Sequence, residues 1–226
     1  MSDYEPQPAD IICFSGRGCT SLAIKAFTHW PWEQPKISHV SVIAHTSQEL
    51  MEKLAQYTRL VKIPPGRIAT WRERLLLFES TTLADVPCAI SGQAIKGVQS
   101  HDPLGRIAAY DGDAYYCRLT QPYKSKFESN GRQRRLSIGC LSRIGDQYNG
   151  KGAALSGTHL SLRMRDYLWA WSKSDRNRLF CSQYVASVLS PIDLFPIEDP
   201  RNWNPSRLMK RLISSGVYTP PQRIEI

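Results

Sequence analysis

"RNRLFCSQYVASVLSP", Arg176 to Pro191, is the stretch on which the fold turns. Cys181, Val185 and Leu189 recur at helical spacing and Pro191 stops the pattern, so it reads as a short apolar helix with Cys181 in its first turn. A helix N-terminus offers N–H groups without intrahelical partners and a partial positive charge. Arg176 and Arg178 add charge just ahead of it. These features favour a thiolate at position 181. The plainer reading of the same residues is a small buried hydrophobe, the usual lot of a free cysteine.

Working outward, the chain after Tyr123 is helical. Leu136, Cys140, Leu141 and Ile144 share one face, and Leu160, Met164, Leu168 and Trp171 share another. In "NPSRLMKRLISSG" Asn204 is the cap, Pro205 the first helical position, and Gly216 lies just past the end. The chain before Tyr123 is rich in strands: "ADIICFSG" (Ala9–Gly16), "KISHVSVIAH" (Lys36–His45) and "RLLLFEST" (Arg74–Thr81). Ala94 to Leu119 reads as shorter strands parted by Asp-Pro and Asp-Gly turns. Ser21–Phe27 reads as helical turns, and Ser47–Leu60, with Leu50, Leu54 and Tyr57, as a helix. A strand-rich 9–120 followed by a helical 135–216 predicts an α+β fold, an antiparallel sheet packed against helices. The 226 residues fit a single domain spanning 1–226.

Composition narrows the function. Six cysteines include no CxxC pair, and no histidine pair sits at finger spacing, so no metal site is expected, and no cofactor. "FSGRG" (Phe14–Gly18) lacks the ending of a phosphate loop and reads as a tight turn. No apolar run approaches the roughly 20 residues that span a bilayer, and the acidic start lacks a secretory pattern; a cytoplasmic location is expected. The net charge of +9 points to an anionic partner. "GRQRRLS" (Gly131–Ser137) is read as a solvated loop beside a helix start. Aromatics do not interleave with it, so no stable nucleic-acid partner is expected.

A cysteine nucleophile needs a base. Of five histidines, His29 lies in a Trp- and Pro-rich loop, His101 in a turn, His159 at a helix start, and His45 at a strand end facing solvent. His39 sits on a strand whose alternation puts His39, Ser41 and Ile43 on one face and Val40, Val42 and Ala44 on the other. Taken alone, it is as readily a satisfied core histidine. Glu79 follows four apolar residues and shares a face with Leu75 and Leu77. If its strand runs antiparallel beside that of His39, the two side chains meet. The alternative partner is Arg72 or Arg74, with Glu79 at the strand's wet end.

These pieces, in this order, resemble the circularly permuted branch of the NlpC-type papain-like cysteine hydrolases, the YiiX-like and lecithin–retinol-acyltransferase-like proteins. "IGDQYNGKG" (Ile144–Gly152) ahead of "LFCSQYV" (Leu179–Val185) matches the family's Gly-x-x-Tyr segment and Cys-Ser helix start. "ISHVSVI" and "LLLFEST" match its histidine and polar strands, moved to the front. "ADIICFSG" resembles the opening strand, with Ala9 in place of the usual glycine, and "PRNWNPSRLMKRL" the closing helix. The resemblance implies Cys181 as nucleophile, His39 as base, Glu79 as the group orienting the imidazole, and Tyr148 lining the substrate pocket. It also marks 46–70 as an insertion able to cap the cleft. The expected activity is hydrolysis of a peptide or peptidoglycan-type amide through a thioacyl intermediate, on an anionic or amide-containing substrate such as a cell-wall peptide or lipid. Two other readings stay open: a lipid-directed thiol acyltransferase or esterase, and a non-catalytic basic binding or assembly module.

Overall fold

The structure, a computed structural model, describes residues 3–28, 35–57, 72–129, 131–149, 178–194, 196–197, 199 and 203–225. His29, His159 and the helical face expected over Leu160–Trp171 lie outside the described residues. The strands are β1 (Ile11–Gly16), β2 (His39–Thr46), β3 (Arg74–Thr81), β4 (Gly97–His101), β5 (Gly112–Cys117), β6 (Gln147–Tyr148), β7 (Arg178–Leu179) and β8 (Gln222–Arg223). Six form one antiparallel sheet in the order β4-β3-β2-β1-β5-β8, and β6 and β7 make a separate parallel pair. The fold is therefore α+β, as the strand-then-helix order implies.

Strand alternation sorts the core into two layers. Val40, Val42 and Ala44 of β2, with Ile11, Cys13, Leu76 and Phe78, face the main core. Against them pack α5 (Arg132–Leu141), α6 (Cys181–Leu189) and α7 (Pro205–Ser214). On α7, Leu208, Met209 and Leu212 are buried, each worth about 1.5–3 kcal/mol of removed apolar surface. The cap of α7 is the expected one: Asn204 accepts from the Arg207 N–H at 2.8 Å, and Gly216 follows at φ +73°. The opposite face carries Ile12, Phe14, Ile43 and Leu77, covered by Tyr4, Ile107 and Ile224. Between β1 and β2 comes α1 (Cys19–Thr28), and between β2 and β3 comes α2 (Gln48–Tyr57). After β5 comes α4 (Gln121–Glu128).

Several expectations change. The basic stretch Gly131–Ser137 is not a loop beside a helix start: from Arg132 on it is the beginning of α5 itself, with Leu136 and Ser137 buried. The Asp102-Pro103 pair does not turn one strand into another; it opens α3 (Pro103–Ala108). Asp102 caps it, accepting from the Gly105 N–H at 2.8 Å, and Pro103 takes the first helical position, where its missing N–H costs nothing. His101 is correspondingly not in a turn but is the last residue of β4, and buried. The described part of the 46–70 insertion is α2, which buries Leu50 and Met51 in the main core beside α5. None of its described residues lines the cleft described below; 58–71 lie outside the described residues.

Ala9 adopts φ +68°, in the left-handed region that glycine occupies without steric cost.

Candidate active site

Register brings His39 and Glu79 together. On β2 and β3, Val42 stands opposite Phe78 and Ile43 opposite Leu77. Continuing that register sets Ser41 opposite Glu79, so His39 and Glu79 are diagonal neighbours on one face, within reach of long side chains. His39 Nε2 lies 2.6 Å from Glu79 Oε2. Arg72 and Arg74 are exposed, whereas Glu79 is fully buried, so the wet-end alternative does not hold.

The second carboxylate oxygen has its own partners. Arg106 Nε on α3 donates to Glu79 Oε1 at 2.8 Å, and His101 Nε2 on β4 lies 3.4 Å from the same atom. His101 is a diagonal neighbour as well, since it stands opposite Leu77. Burial acts to raise the Glu79 pKa, but the His39 hydrogen bond and the charges of His39, Arg106 and His101 outweigh it and hold the carboxyl at about 2. Burial pulls the His101 pKa below its ordinary value, against the opposing charge of Glu79.

Cys181 arrives from the other side of the sheet. Phe180 occupies the cap of α6 and Cys181 is its first residue, 3% exposed. Two buried hydrogen bonds fix this start: Ser80 Oγ donates to the Leu179 carbonyl at 2.5 Å, and Ser182 Oγ to the Trp203 carbonyl at 2.7 Å. Because His39 begins β2, at the very end of the strand, its ring reaches past the sheet to the thiol. The Cys181 thiol lies close enough to act on the His39 ring, and the two side chains line one cleft. With Nε2 engaged by Glu79, Nδ1 is the ring nitrogen left for the sulfur. Burial lowers the His39 pKa, yet the charge of Cys181, then the hydrogen bond and charge of Glu79, push it up to about 10.

Tyr148 on β6 is drawn in by the pairing of Tyr148 with Leu179. Burial raises its phenol pKa, and the Cys181 charge adds to this. Gly16 closes β1 beside the site, where a side chain would collide with Ser21 and the Tyr110 hydroxyl. The result is a cleft of about 340 Å³ whose lining includes Cys181, His39, Tyr148, Arg106, Tyr110 and Cys19. Asp85 and Asp111 also border it, and the exposed cations Arg134, Arg135 and Arg211 do not. Among the described residues, no group of three His, Cys, Asp or Glu is placed to hold a metal.

All four residues singled out from the sequence meet here: Cys181, His39 and Tyr148 line the cleft, and Glu79 stands behind His39. Sequence reasoning missed Arg106, His101 and Cys19. The signal for Arg106 was the Asp-Pro pair, which marks a helix start as readily as a turn. Chemically, an imidazole held between a thiol and a buried carboxylate can take a proton from sulfur and return it elsewhere. The N–H of Cys181, at the first helical position, has no intrahelical partner and is a donor for an oxyanion formed beside the sulfur. No protein-family model matches the chain, and no curated protein matches it. No helix among the described residues is long and apolar enough to cross a membrane.

Proposed function

We propose that the chain is a cysteine hydrolase of permuted papain-like fold that cleaves an amide bond in a peptide or peptidoglycan-type substrate. The observation that carries this reading is the position of His39, which shares a cleft with Cys181, whose thiol acts on the ring, and lies 2.6 Å from the buried Glu79. His39 takes the thiol proton, and the Cys181 thiolate attacks the carbonyl carbon. The tetrahedral oxyanion forms against the first N–H groups of α6. The C–N bond then breaks and the amine leaves with the proton from His39. Water, deprotonated by His39, attacks the thioester, releasing the carboxylic acid and restoring the thiol. Glu79 holds the ring and balances the imidazolium. Tyr148 contributes a wall of the substrate cleft. All six cysteines are free thiols, which accords with action in the cytoplasm or another reducing compartment.

The test is alkylation. Cys19 is exposed, so it is first replaced by serine; Cys13, Cys88, Cys117 and Cys140 are buried. Iodoacetamide at pH 6 is expected to modify Cys181 at least about ten-fold faster than those four. Equal, slow modification of all five would sink the reading and favour a binding module, as would a Cys181→Ala protein with undiminished biological effect.

One observation favours a second reading, a lipid-directed thiol esterase or acyltransferase. Leu83 borders the cleft and is 43% exposed, and Leu22, between the cleft residues Ser21 and Ile24, is 53% exposed. Phospholipid vesicles distinguish the two: an acyl adduct on Cys181 after exposure to them supports the lipid reading, and an adduct from activated peptide esters alone supports the amidase.

A further inference from the structure

Arg106 lies on α3 and lines the cleft. Its side chain is 2% exposed, its Nε donates to Glu79 Oε1, and its Nη2 has no hydrogen-bond partner among the described residues. It crosses the Tyr110 ring at 5.8 Å. A buried ion pair with a spare donor is a poor device for stability alone, because well-packed apolar residues of similar size usually do as well. The pair makes better sense as a control on where a proton resides.

The proton in question lies between His39 Nε2 and Glu79 Oε2. A buried carboxylate without a permanent counter-charge takes up a proton. The groups around Glu79 are His39 from β2, His101 from β4 and Arg106 from α3. His39 is a counter-ion only while it holds the very proton at issue. His101 is held below its ordinary range by burial, with Glu79, Arg106 and Asp85 also acting on it, so its charge is lost as the pH rises. Arg106 is the group whose charge does not titrate, since a guanidinium keeps its proton in proteins. Beyond this shell, Cys181 faces His39, and Cys13 of β1 and Tyr148 of β6 face Cys181.

We propose that Arg106 is a positioning residue that acts through Glu79 to keep the shared proton on His39, and so sustains the thiolate–imidazolium pair at low pH. The proposal rests on the hydrolase reading above. With Arg106 neutralised, the proton moves to the Glu79 carboxyl as the pH falls, the imidazolium loses its counter-ion, and the sulfur recovers its proton at a higher pH than before.

Arg106→Gln separates charge from hydrogen bonding. The Gln Nε2 stands the same number of bonds from Cα as the Arg Nε, so the donor to Glu79 is kept and the charge removed. In Cys19→Ser protein, the iodoacetamide rate at Cys181 is followed from pH 4 to 9. The acid limb of the Arg106→Gln profile is expected about one pH unit or more above that of the parent, with Arg106→Lys restoring it. A merely structural role would lower the folded fraction, seen by circular dichroism, and leave the midpoint in place; an unmoved midpoint overturns the proposal. In a Glu79→Gln background, adding Arg106→Gln is expected to shift nothing further, and this neutral pair serves as the comparison if Arg106→Gln alone does not fold. A shift there as large as in the parent shows action independent of Glu79 and overturns the proposal. Failure of the hydrolase reading looks different: Cys181 in the parent then alkylates no faster than the buried cysteines, and the Arg106 proposal falls with it.

Discussion

Glu79 meets His39 diagonally, two residues along the neighbouring strand from the position directly opposite, with Nε2 and Oε2 2.6 Å apart and the carboxylate fully buried. An antiparallel pair supplies this relation with no loop between the two residues, so the carboxylate fixes both ring orientation and tautomer. Glu79→Gln tests this. The Gln carbonyl can still accept from Arg106, while its NH₂ must donate to His39 Nε2. That forces the imidazole proton onto Nδ1, facing the thiol that should deliver one. Alkylation of Cys181 at pH 6 is expected to fall at least about ten-fold, or ~1.4 kcal/mol, with a smaller loss of stability than Glu79→Ala, since Arg106 keeps its hydrogen bond and loses only its counter-charge. Glu79→Ala is a different lesion: it leaves Arg106 buried and unpaired, and is expected to cost about 3–5 kcal/mol in urea denaturation. Similar stabilities for the two variants would refute this division.

The same pair gives stability a pH window. Glu79 is held at about 2 against an ordinary 4.5, so the stability it confers is full above 4.5 and is lost as pH falls toward 2. His39 is raised to about 10 against an ordinary 6.5, so its contribution is full below 6.5 and is lost as pH rises through 10. Both contributions are complete only between about 4.5 and 6.5. Cys181→Ala removes the charge that pushes His39 up, leaving burial opposed by Glu79 alone. The His39 titration followed by NMR is expected to move to lower pH in that variant, and the alkaline loss of stability with it. Coincident His39 titrations would mean that the thiol and ring do not interact.

What was legible followed chain direction and alternation. The strand faces of β2 and β3, the cap and stop of α7, and the meeting of His39 with Glu79 all follow from periods of two and 3.6 in residues that are buried in the structure. Ala9 could be placed against a glycine of the resembling family, but its left-handed backbone could not be read from an alanine. Arg106 was hidden for a different reason. Its helix has six residues, too few to show a period, and opens with Asp-Pro, a pair shared by turns and helix starts. The strand reading of that stretch then placed His101 in a turn as well. Long-range partners of a buried carboxylate are chosen by packing between distant segments, here 27 residues apart for Glu79 and Arg106, and local sequence does not carry that choice.

Ser80 shows how one strand serves both halves of the site. Glu79 and Ser80 are neighbours on β3 and therefore point to opposite faces. Glu79 meets His39 and Arg106 on one face, and Ser80 holds the Leu179 carbonyl, two residues before Cys181, on the other. Any shift of β3 thus moves the carboxylate and the start of the cysteine helix together. Ser80→Ala removes a buried hydrogen bond without touching a charge. It is expected to cost about 1–2 kcal/mol of stability, because the Leu179 carbonyl keeps only the longer bond from the Asn149 N–H at 3.4 Å. The alkylation rate of Cys181 should fall across the whole pH range as the helix start loosens, with the acid limb of the profile unmoved. This is the opposite signature to Arg106→Gln, in which the limb moves. A displaced limb in Ser80→Ala would mean that the position of Cys181, rather than the charge behind His39, sets the proton balance of the site.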